Sequence, residues 1–240
     1  MPSLPPRRSS GAPPASAASA ADTRPAAGPG RPKDPAKRAA ILAASRELFI
    51  QHGFDGVSMD QIAAGAGVSK LTVYSHFGDK ENLFAAAVAS YCELQLPQAL
   101  FDGATGLPLR DRLLDIARAF HAMASSPEAI AAHRMLSTAQ LAGSPLVAAF
   151  WDAGPARVNQ ELAILLQRRA AAGELQLDPA DAAGLARAAG QLLALLRGEP
   201  HARMLFGLGE MDREATRTHL EAAVDLFLRG CGARDMGPLP

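Results

Sequence analysis

The segment 69–76 carries closely spaced side chains that could bind a nucleic acid, in the order Ser-Lys-Leu-Thr-Val-Tyr-Ser-His. A helix turns by about 100° per residue, so a helix here places Val73 on one face and Leu71 and Ser75 almost directly opposite. The face opposite Val73 could enter a groove of DNA. There, Leu71 can offer only an apolar contact, most usefully to a thymine methyl group.

The flanks of this helix carry hydroxyl and imidazole groups. Thr72 and Tyr74 fall where a hydroxyl reaches a phosphate more easily than a base edge. His76 lies on the Thr72 side, near the end of the helix. These positions predict contacts to a DNA backbone beside a face that contacts bases.

Two helix caps are expected to position the segment. Ser58 and Gln61 form a capping box, and Ser69 can cap a second helix directly after the turn Ala-Gly-Val at 66–68. Gly67 can take a positive φ where the chain reverses. This spacing predicts a helix-turn-helix.

The same spacing also fits a helical hairpin in an ordinary bundle, with Tyr74 and Phe77 as core aromatic residues and the two serines as simple caps. The sequence Gly-Asp-Lys-Glu at 78–81 disfavours that alternative, because it ends one helix with glycine and opens another with acids. Lys80 in this segment could reach a phosphate.

Further sequence motifs precede this pattern and overlap it. They begin with Ala-Ala-Ile-Leu-Ala-Ala-Ser-Arg-Glu-Leu-Phe at 39–49, continue through His-Gly-Phe at 52–54, and include Ile-Ala at 62–63, Ala-Gly-Val-Ser at 66–69, Thr72, Tyr74 and Phe77. With these motifs, residues 37–84 resemble the DNA-binding domain of the TetR family of bacterial transcriptional regulators. The resemblance implies DNA contacts by Ser58, Ser69, Lys70, Leu71, Thr72, Tyr74, Ser75, His76 and Lys80.

Two positions depart from the family pattern. Leu71 stands where many members have a small residue, and Ser75 stands where many have a large aromatic or polar one. The operator preference therefore cannot be copied from relatives.

A further amphipathic helix precedes the motif. Its buried positions within 41–49 follow helical periodicity, Asp34 directly before a proline suits its N-cap, and Gly53 suits its end. Lys37 and Arg38 on its first turn are disfavoured by the helix dipole. They either lie over the DNA backbone or are solvated charges.

The chain has 24 basic and 24 acidic residues, so it shows no strong basic bias as a whole. Residues 1–33 are rich in Pro, Ala, Ser and Gly, which predicts a disordered N-terminal arm. Arg24, Arg31 and Lys33 either add nonspecific affinity for DNA or belong to a passive tail. The arm lacks an apolar core of signal-peptide length, so a cytoplasmic location is expected.

Proline and glycine divide the remainder into helices. The predicted helices are 79–96, about 108–125, one starting at Ser126-Pro127, a long one from Ser144-Pro145 to near Gly173, one from Asp178-Pro179 to Arg197, and one from Met211 to Arg229. Residues 198–210 are ambiguous. The predicted fold is all-α: an arm at 1–33, a three-helix DNA-binding domain at 34–84, a helical ligand-binding and dimerisation domain at 85–232, and a flexible tail at 233–240.

The C-terminal part also carries family motifs. These are Ser-Pro-Leu-Val-Ala-Ala-Phe-Trp at 144–151, Gly-Pro-Ala-Arg-Val at 154–158, Gly-Glu-Leu at 173–175 and Asp-Leu-Phe-Leu-Arg-Gly at 225–230. They are similar to the regulatory domain of the AefR-like subgroup of the TetR family. Relatives commonly have an acid near the position of Gln140, which this chain lacks.

This resemblance implies a homodimer in which the last two long helices pair with their mates as a four-helix bundle. Wide apolar stripes permit that pairing, through Leu185, Ala189, Leu192, Leu193, Leu196, Leu220, Val224, Phe227 and Leu228. A monomeric core would show the same stripes. Two recognition helices must reach successive major grooves about 34 Å apart, or a multiple of it, and a twofold dimer supplies them.

Several helices of the C-terminal part are expected to enclose a central cavity. They carry Phe120, His121, Met123, His133, Met135, Phe150 and Trp151. A mostly apolar pocket with a few polar groups suits a small molecule, whereas core packing explains the same residues equally well. No ligand-binding residue is assigned.

The sequence shows little that supports catalysis. The six histidines form no H-E-x-x-H spacing, Cys92 and Cys231 lie in no C-x-x-C pair, and no G-x-S-x-G motif occurs. No cofactor, metal or membrane contact is expected. The predicted function is a homodimeric transcriptional repressor that a small-molecule effector releases from a palindromic DNA operator. The alternatives are a DNA-anchored protein-interaction module and an enzyme on a helical scaffold.

Overall fold

The computed structural model describes residues 34–102 and 106–232. The predicted arm, with Arg24, Arg31 and Lys33, and the predicted tail lie outside the described residues. Within these ranges the chain is all-α, as predicted. The helices are α1 Pro35–His52, α2 Met59–Gly65, α3 Lys70–Phe77, α4 Lys80–Gln95, α5 Leu109–Ala124, α6 Pro127–Leu136, α7 Pro145–Trp151, α8 Arg157–Ala171, α9 Ala182–Leu205 and α10 Arg213–Gly230. In this part of the chain, no helix has the length and apolar character that crossing a bilayer requires.

The caps predicted for the first three helices are confirmed. Asp34 accepts a hydrogen bond from the backbone N–H of Ala36, and Gly53 ends α1 with φ 70°. Ser58 and Gln61 form both hydrogen bonds of the capping box at the start of α2. Each bond joins residues close in sequence, so local spacing alone specifies where these helices begin.

Helix α4 joins two apolar cores. Its first turns bury Leu83 and Phe84 among the residues of α1, α2 and α3. Its last turn buries Cys92 in the core of the C-terminal bundle. The helix therefore continues across the domain boundary predicted at residue 84 and connects the DNA-binding helices to the bundle.

The long helix predicted from Ser144 is interrupted. Helices α7 and α8 are separated by a π-helical turn at Asp152–Ala156, which contains Pro155. Proline has no N–H to donate, and such widened turns absorb the irregularity. A Cβ added to Gly154 would lie 3.2 Å from Val88 Cγ1, so the turn packs closely against α4.

The helix predicted from Asp178-Pro179 begins later and ends later than expected. Asp181, rather than Asp178, caps α9, and the helix continues beyond Arg197 to Leu205 through a kink at Gly198. That kink has φ 41° and ψ −146°, which interrupts the helix geometry. Residues 199–205, which sequence analysis left ambiguous, are therefore helical.

All nine residues of the apolar stripes predicted for dimerisation are buried within the single chain. They form the bundle core together with α5 and α8. The monomeric-core alternative accounts for them, so these side chains are not available to a second subunit.

Candidate nucleic-acid interface and central cavity

Helix α3 has the two faces that its sequence predicts. Val73 and Phe77 are buried against α1, α2 and α4. Leu71, by contrast, is 79% exposed, and Ser75 is also exposed. The bundle alternative correctly has Phe77 in the core but is wrong for Tyr74, which is 43% exposed.

The small hydroxyl groups at the helix starts are engaged in capping. Ser58 Oγ accepts from the Gln61 N–H at 3.3 Å. Ser69 Oγ accepts from the Thr72 N–H at 3.2 Å and lies 2.8 Å from Thr72 Oγ1. These bonds hold the hydroxyls at the exposed start of each helix, where backbone N–H groups favour an anion.

Lys70 lies at the same end of α3. Its ammonium donates to Asp60 at 2.8 Å, and both side chains are more than half exposed. The hydrogen bond to Asp60 raises the pKa of Lys70. Exposed pairs of this kind contribute little free energy, so a phosphate could compete with Asp60 for this ammonium.

The structure places Lys80 differently from the other basic groups. Its ammonium donates to the backbone carbonyls of Phe54 at 2.9 Å and Val57 at 3.1 Å, and it lies 4.3 Å from the centroid of the Phe54 ring. These contacts tie the start of α4 to the loop between α1 and α2. One of the three ammonium protons remains for the predicted phosphate contact.

Lys80→Met is expected to lower the free energy of unfolding by about 2–3 kcal/mol, since two charge-assisted hydrogen bonds and a cation–π contact are lost. Thermal and chemical unfolding would measure this, with Lys70→Met as the control that loses only a surface pair. An unchanged stability would contradict the anchoring role. The salt dependence of DNA binding tests the phosphate contact separately: a slope smaller by about 1 per protomer supports it, and an unchanged slope removes it.

Three further groups border the exposed face of α3. Tyr74 is partly exposed, and the His76 ring lies 6.0 Å from the ring of Phe77. The guanidinium of Arg38 lies 4.9 Å from the Phe77 ring centroid. Arg38 is exposed and lies beside α3, which favours the backbone-contact interpretation of this residue.

A cavity of about 190 Å³ lies between the DNA-binding helices and the bundle. Its walls come from α1, α4, α5, α6, the π-helical turn, α9 and the ends of α7 and α8. Five of the seven residues that sequence analysis grouped around a cavity line it, namely Phe120, Met123, His133, Met135 and Phe150. Trp151 is largely exposed, and His121 lies outside the lining.

Sequence analysis missed four polar residues of the cavity wall. They are Arg46, Tyr91, Glu128 and Arg197. The signal for the last of them was a lone arginine after the apolar run Leu-Leu-Ala-Leu-Leu at 192–196. Assigning it to a cavity requires knowing how α9 packs, which periodicity does not reveal.

Histidines cluster beside the cavity. The rings of His133 and His201 are 5.2 Å apart. Burial, followed by repulsion from His201 and Arg197, lowers the pKa of His133 from 6.5 to about 4. Burial also lowers the pKa of His121 and of His201. These imidazoles are therefore neutral at pH 7.

Stability is expected to fall as the pH drops from 7 towards 4. His133 is neutral in the folded protein, whereas in the unfolded chain it takes up a proton below pH 6.5, so its stabilising contribution is complete above 6.5 and is lost towards about 4. The loss should be about 2 kcal/mol, allowing for partial exposure. Chemical denaturation at several pH values measures it, and His133→Gln should show a shallower decrease. A stability that rises on acidification would contradict this.

In the described ranges, no group of three or more His, Cys, Asp or Glu side chains is placed to hold a metal ion. Burial raises the pKa of the Cys92 and Cys231 thiols. Both stay protonated at neutral pH, consistent with small apolar residues rather than reactive thiols.

Known proteins show the same arrangement. Residues 41–87 match the family described as bacterial regulatory proteins, tetR family, and residues 111–233 match the AefR-like transcriptional repressor, C-terminal domain. The flavonoid-responsive regulator FrrA is 32% identical, with a TM-score of 0.63 over 83% of this chain and 98% of its own. A TetR-family regulator from Mesorhizobium loti MAFF303099 is 27% identical, with a TM-score of 0.67 over 82% of this chain and 98% of its own.

Curated relatives are similar over shorter segments. The repressor AcnR of Corynebacterium glutamicum is 41% identical over 49 residues, which are 20% of this chain and 26% of AcnR. The regulator RutR of Escherichia coli K12 is 41% identical over 61 residues, 25% of this chain and 29% of RutR. The chain thus spans less than a third of the length of these two relatives.

Helix α3, the second helix of the helix-turn-helix, has an exposed face, and α1–α3 are joined to a helical bundle. This arrangement defines the class of helix-turn-helix DNA-binding proteins. Together with the two family matches, this places the chain in the TetR family of transcriptional regulators. It is a regulator of transcription rather than an enzyme.

Proposed function

We propose that the protein is a homodimeric repressor that binds a palindromic operator and leaves it when a small molecule enters the central cavity. The observation that carries this proposal is the cavity's position: α1 of the DNA-binding domain forms one of its walls. A ligand in this cavity contacts both the DNA-binding domain and the bundle. Its binding can therefore change the distance between the two DNA-binding domains of a dimer.

The DNA-contacting surface consists of the exposed side of α3 and the starts of α2 and α3. Leu71 and Ser75 face base edges, and the neighbouring groups position the helix on phosphates. The proposed contacts are Ser58, Ser69, Lys70, Leu71, Thr72, Tyr74, Ser75, His76 and Lys80.

The route from cavity to DNA passes through the end of α1. Phe49, Ile50 and Gly53 line the cavity. Helix α6 contacts α1, and a Cβ added to Gly53 would lie 3.8 Å from Met135 Sδ. A ligand that moves α6 can therefore move α1, which shares an apolar core with α3.

The names of similar proteins support this regulatory scheme. FrrA is named a flavonoid-responsive regulator, and AcnR is named a repressor. FasR of Mycolicibacterium smegmatis, 37% identical over 76 residues, is named an activator. Repression by this chain is therefore proposed from its membership of the TetR family, and no residue of the chain specifies it.

The outer face of α10 is the proposed dimer contact. Thr218, Ala222 and Leu226 follow one another at intervals of four residues and are exposed, while the opposite face of α10 fills the core. Leu226 is 56% exposed. The exposed Arg229, seven residues after Ala222, lies on the same face. Leu226 gives this face an apolar contact that suits packing against a second copy.

Leu226→Glu is expected to weaken dimerisation at least tenfold, because a twofold contact brings two carboxylates into an apolar interface. Operator affinity should fall in parallel, while the monomer stays folded. Sedimentation equilibrium measures the association. Leu94→Glu, at a leucine on α4 with 66% exposure, is the matched control. Equal dimerisation of both variants would place the interface elsewhere.

Selection of bound sequences from random DNA duplexes tests the proposed function. We expect a palindrome whose half-sites lie about 34 Å apart, or a multiple of that distance. Enrichment of a single asymmetric site, or of none, would contradict a dimer with two DNA-binding domains.

Phe206 and Leu208 are 81% and 64% exposed, which favours a protein-interaction module as the second candidate. An operator-bound protein that captures another protein there and ignores small molecules would support that candidate.

A further inference from the structure

Arg197 stands out among the arginines that line or approach the core. Arg110, Arg157 and Arg169 each reach a carboxylate, at 2.7, 3.3 and 2.9 Å. Within the described ranges, by contrast, Arg197 lies over the Phe120 ring at 5.4 Å and its buried Nε has no hydrogen-bond partner. A charged group so placed is costly unless a counter-charge completes its surroundings.

His133 faces the same cavity in a similar state. Its Nδ1 is also buried without a partner. Both side chains line the cavity. A guanidinium and a neutral imidazole, each with a buried nitrogen that has no partner, are therefore available to one ligand.

The cavity lining carries one further arginine and one glutamate, Arg46 and Glu128. Arg46 lies 5.9 Å from the Tyr91 ring. The Tyr91 hydroxyl lies 2.8 Å from Ser126 Oγ and so has a partner. Glu128 offsets the charge of one of the two lining arginines, so the lining keeps a surplus positive charge, and Arg197 is the arginine whose buried nitrogen has no partner.

We propose that the cavity ligand is a compact apolar molecule with one carboxylate, which Arg197 and His133 bind. The inference rests on the proposed function, because it names the chemical class of that effector. The planar guanidinium can donate two parallel hydrogen bonds to a carboxylate. His133 donates the third when its neutral ring carries the proton on Nδ1.

The remaining wall fits the body of such a molecule. It consists mainly of alanine, valine, leucine, isoleucine, methionine and phenylalanine side chains. An apolar cavity of about 150 Å³ takes up benzene, and this one measures about 190 Å³. One aromatic ring or a short aliphatic chain fills it, with the acid group at the α9 end.

The test compares acids with neutral molecules of the same shape. Benzoate, trans-cinnamate and octanoate are titrated calorimetrically into the full-length protein beside their primary amides. At least one acid is expected to bind tenfold to a hundredfold more tightly than its amide. Arg197→Met, which keeps the apolar stem, should abolish that preference. Arg187→Met on the same helix and Arg46→Met, at the other arginine of the cavity lining, should keep it.

The outcomes are separable. Equal binding of acids and amides, or binding of neither, overturns the inference, as does an acid preference that persists in Arg197→Met. If that variant does not fold, the comparison on the unaltered protein decides. Selection of an operator by the same preparation tests the DNA-binding function separately, so a protein that binds its operator but shows no acid preference keeps the function and loses the inference.

Discussion

Leu71→Asp is expected to abolish operator binding without altering the stability of the protein. The side chain is 79% exposed on the outer face of α3, so its replacement disturbs no core contact. In the groove, the aspartate removes an apolar contact with bases and adds a charge of the same sign as the phosphates. A base contact is worth about 1–3 kcal/mol and a twofold dimer loses two of them, so we expect roughly a hundredfold loss or more.

Electrophoretic mobility shift and thermal unfolding together measure this effect. Leu94→Asp provides the matched control, because it places the same charge at a similarly exposed leucine away from α3. The control should bind the operator normally. If Leu71→Asp binds as tightly as the unaltered protein, then α3 does not enter the groove and the assignment of the reading head is wrong.

Gly198→Ala is expected to be the most destabilising small substitution in the bundle. The residue has φ 41° and ψ −146°, a backbone conformation that residues with a Cβ rarely adopt. The added Cβ would also lie 2.4 Å from His219 Cε1. Backbone strain and overpacking together should cost about 3–5 kcal/mol and lower the melting temperature by roughly 10 °C.

The same substitution should weaken ligand binding, because the kink sets the positions of Arg197 before it and His201 after it. Calorimetric unfolding measures the first effect and titration of a cavity ligand the second. Gly230→Ala is the control, since a Cβ there would meet no atom within 4 Å. Comparable melting temperatures for the two variants would mean that α9 straightens without cost.

Lys80 illustrates how far sequence reasoning can carry a residue. Its position after the predicted recognition helix and the family resemblance both predict a contact with a DNA phosphate. The structure adds two carbonyl acceptors from the loop after α1. Those acceptors lie more than twenty residues away in sequence, so local spacing could not reveal them.

The apolar stripes of α9 and α10 illustrate a different limit. Periodicity correctly identifies which residues of a helix are buried, but not whether the partner is the same chain or a second one. Here α5 and α8 cover both stripes within one protomer. The proposed dimer contact then moves to the outer face of α10, which is only weakly apolar and gives a faint signal in sequence.

The amino-acid sequence by itself determined the helix-turn-helix and the outward face of its second helix. The caps at Asp34, Ser58 and Ser69 join residues two or three apart, and the direction of a helical side chain follows from its position along the turn. Only the tertiary structure decided the kink at Gly198, the engagement of Lys80 and the surplus positive charge of the cavity lining. Each of these depends on the packing of helices distant in sequence, and packing energies are set by three-dimensional fit rather than by residue order.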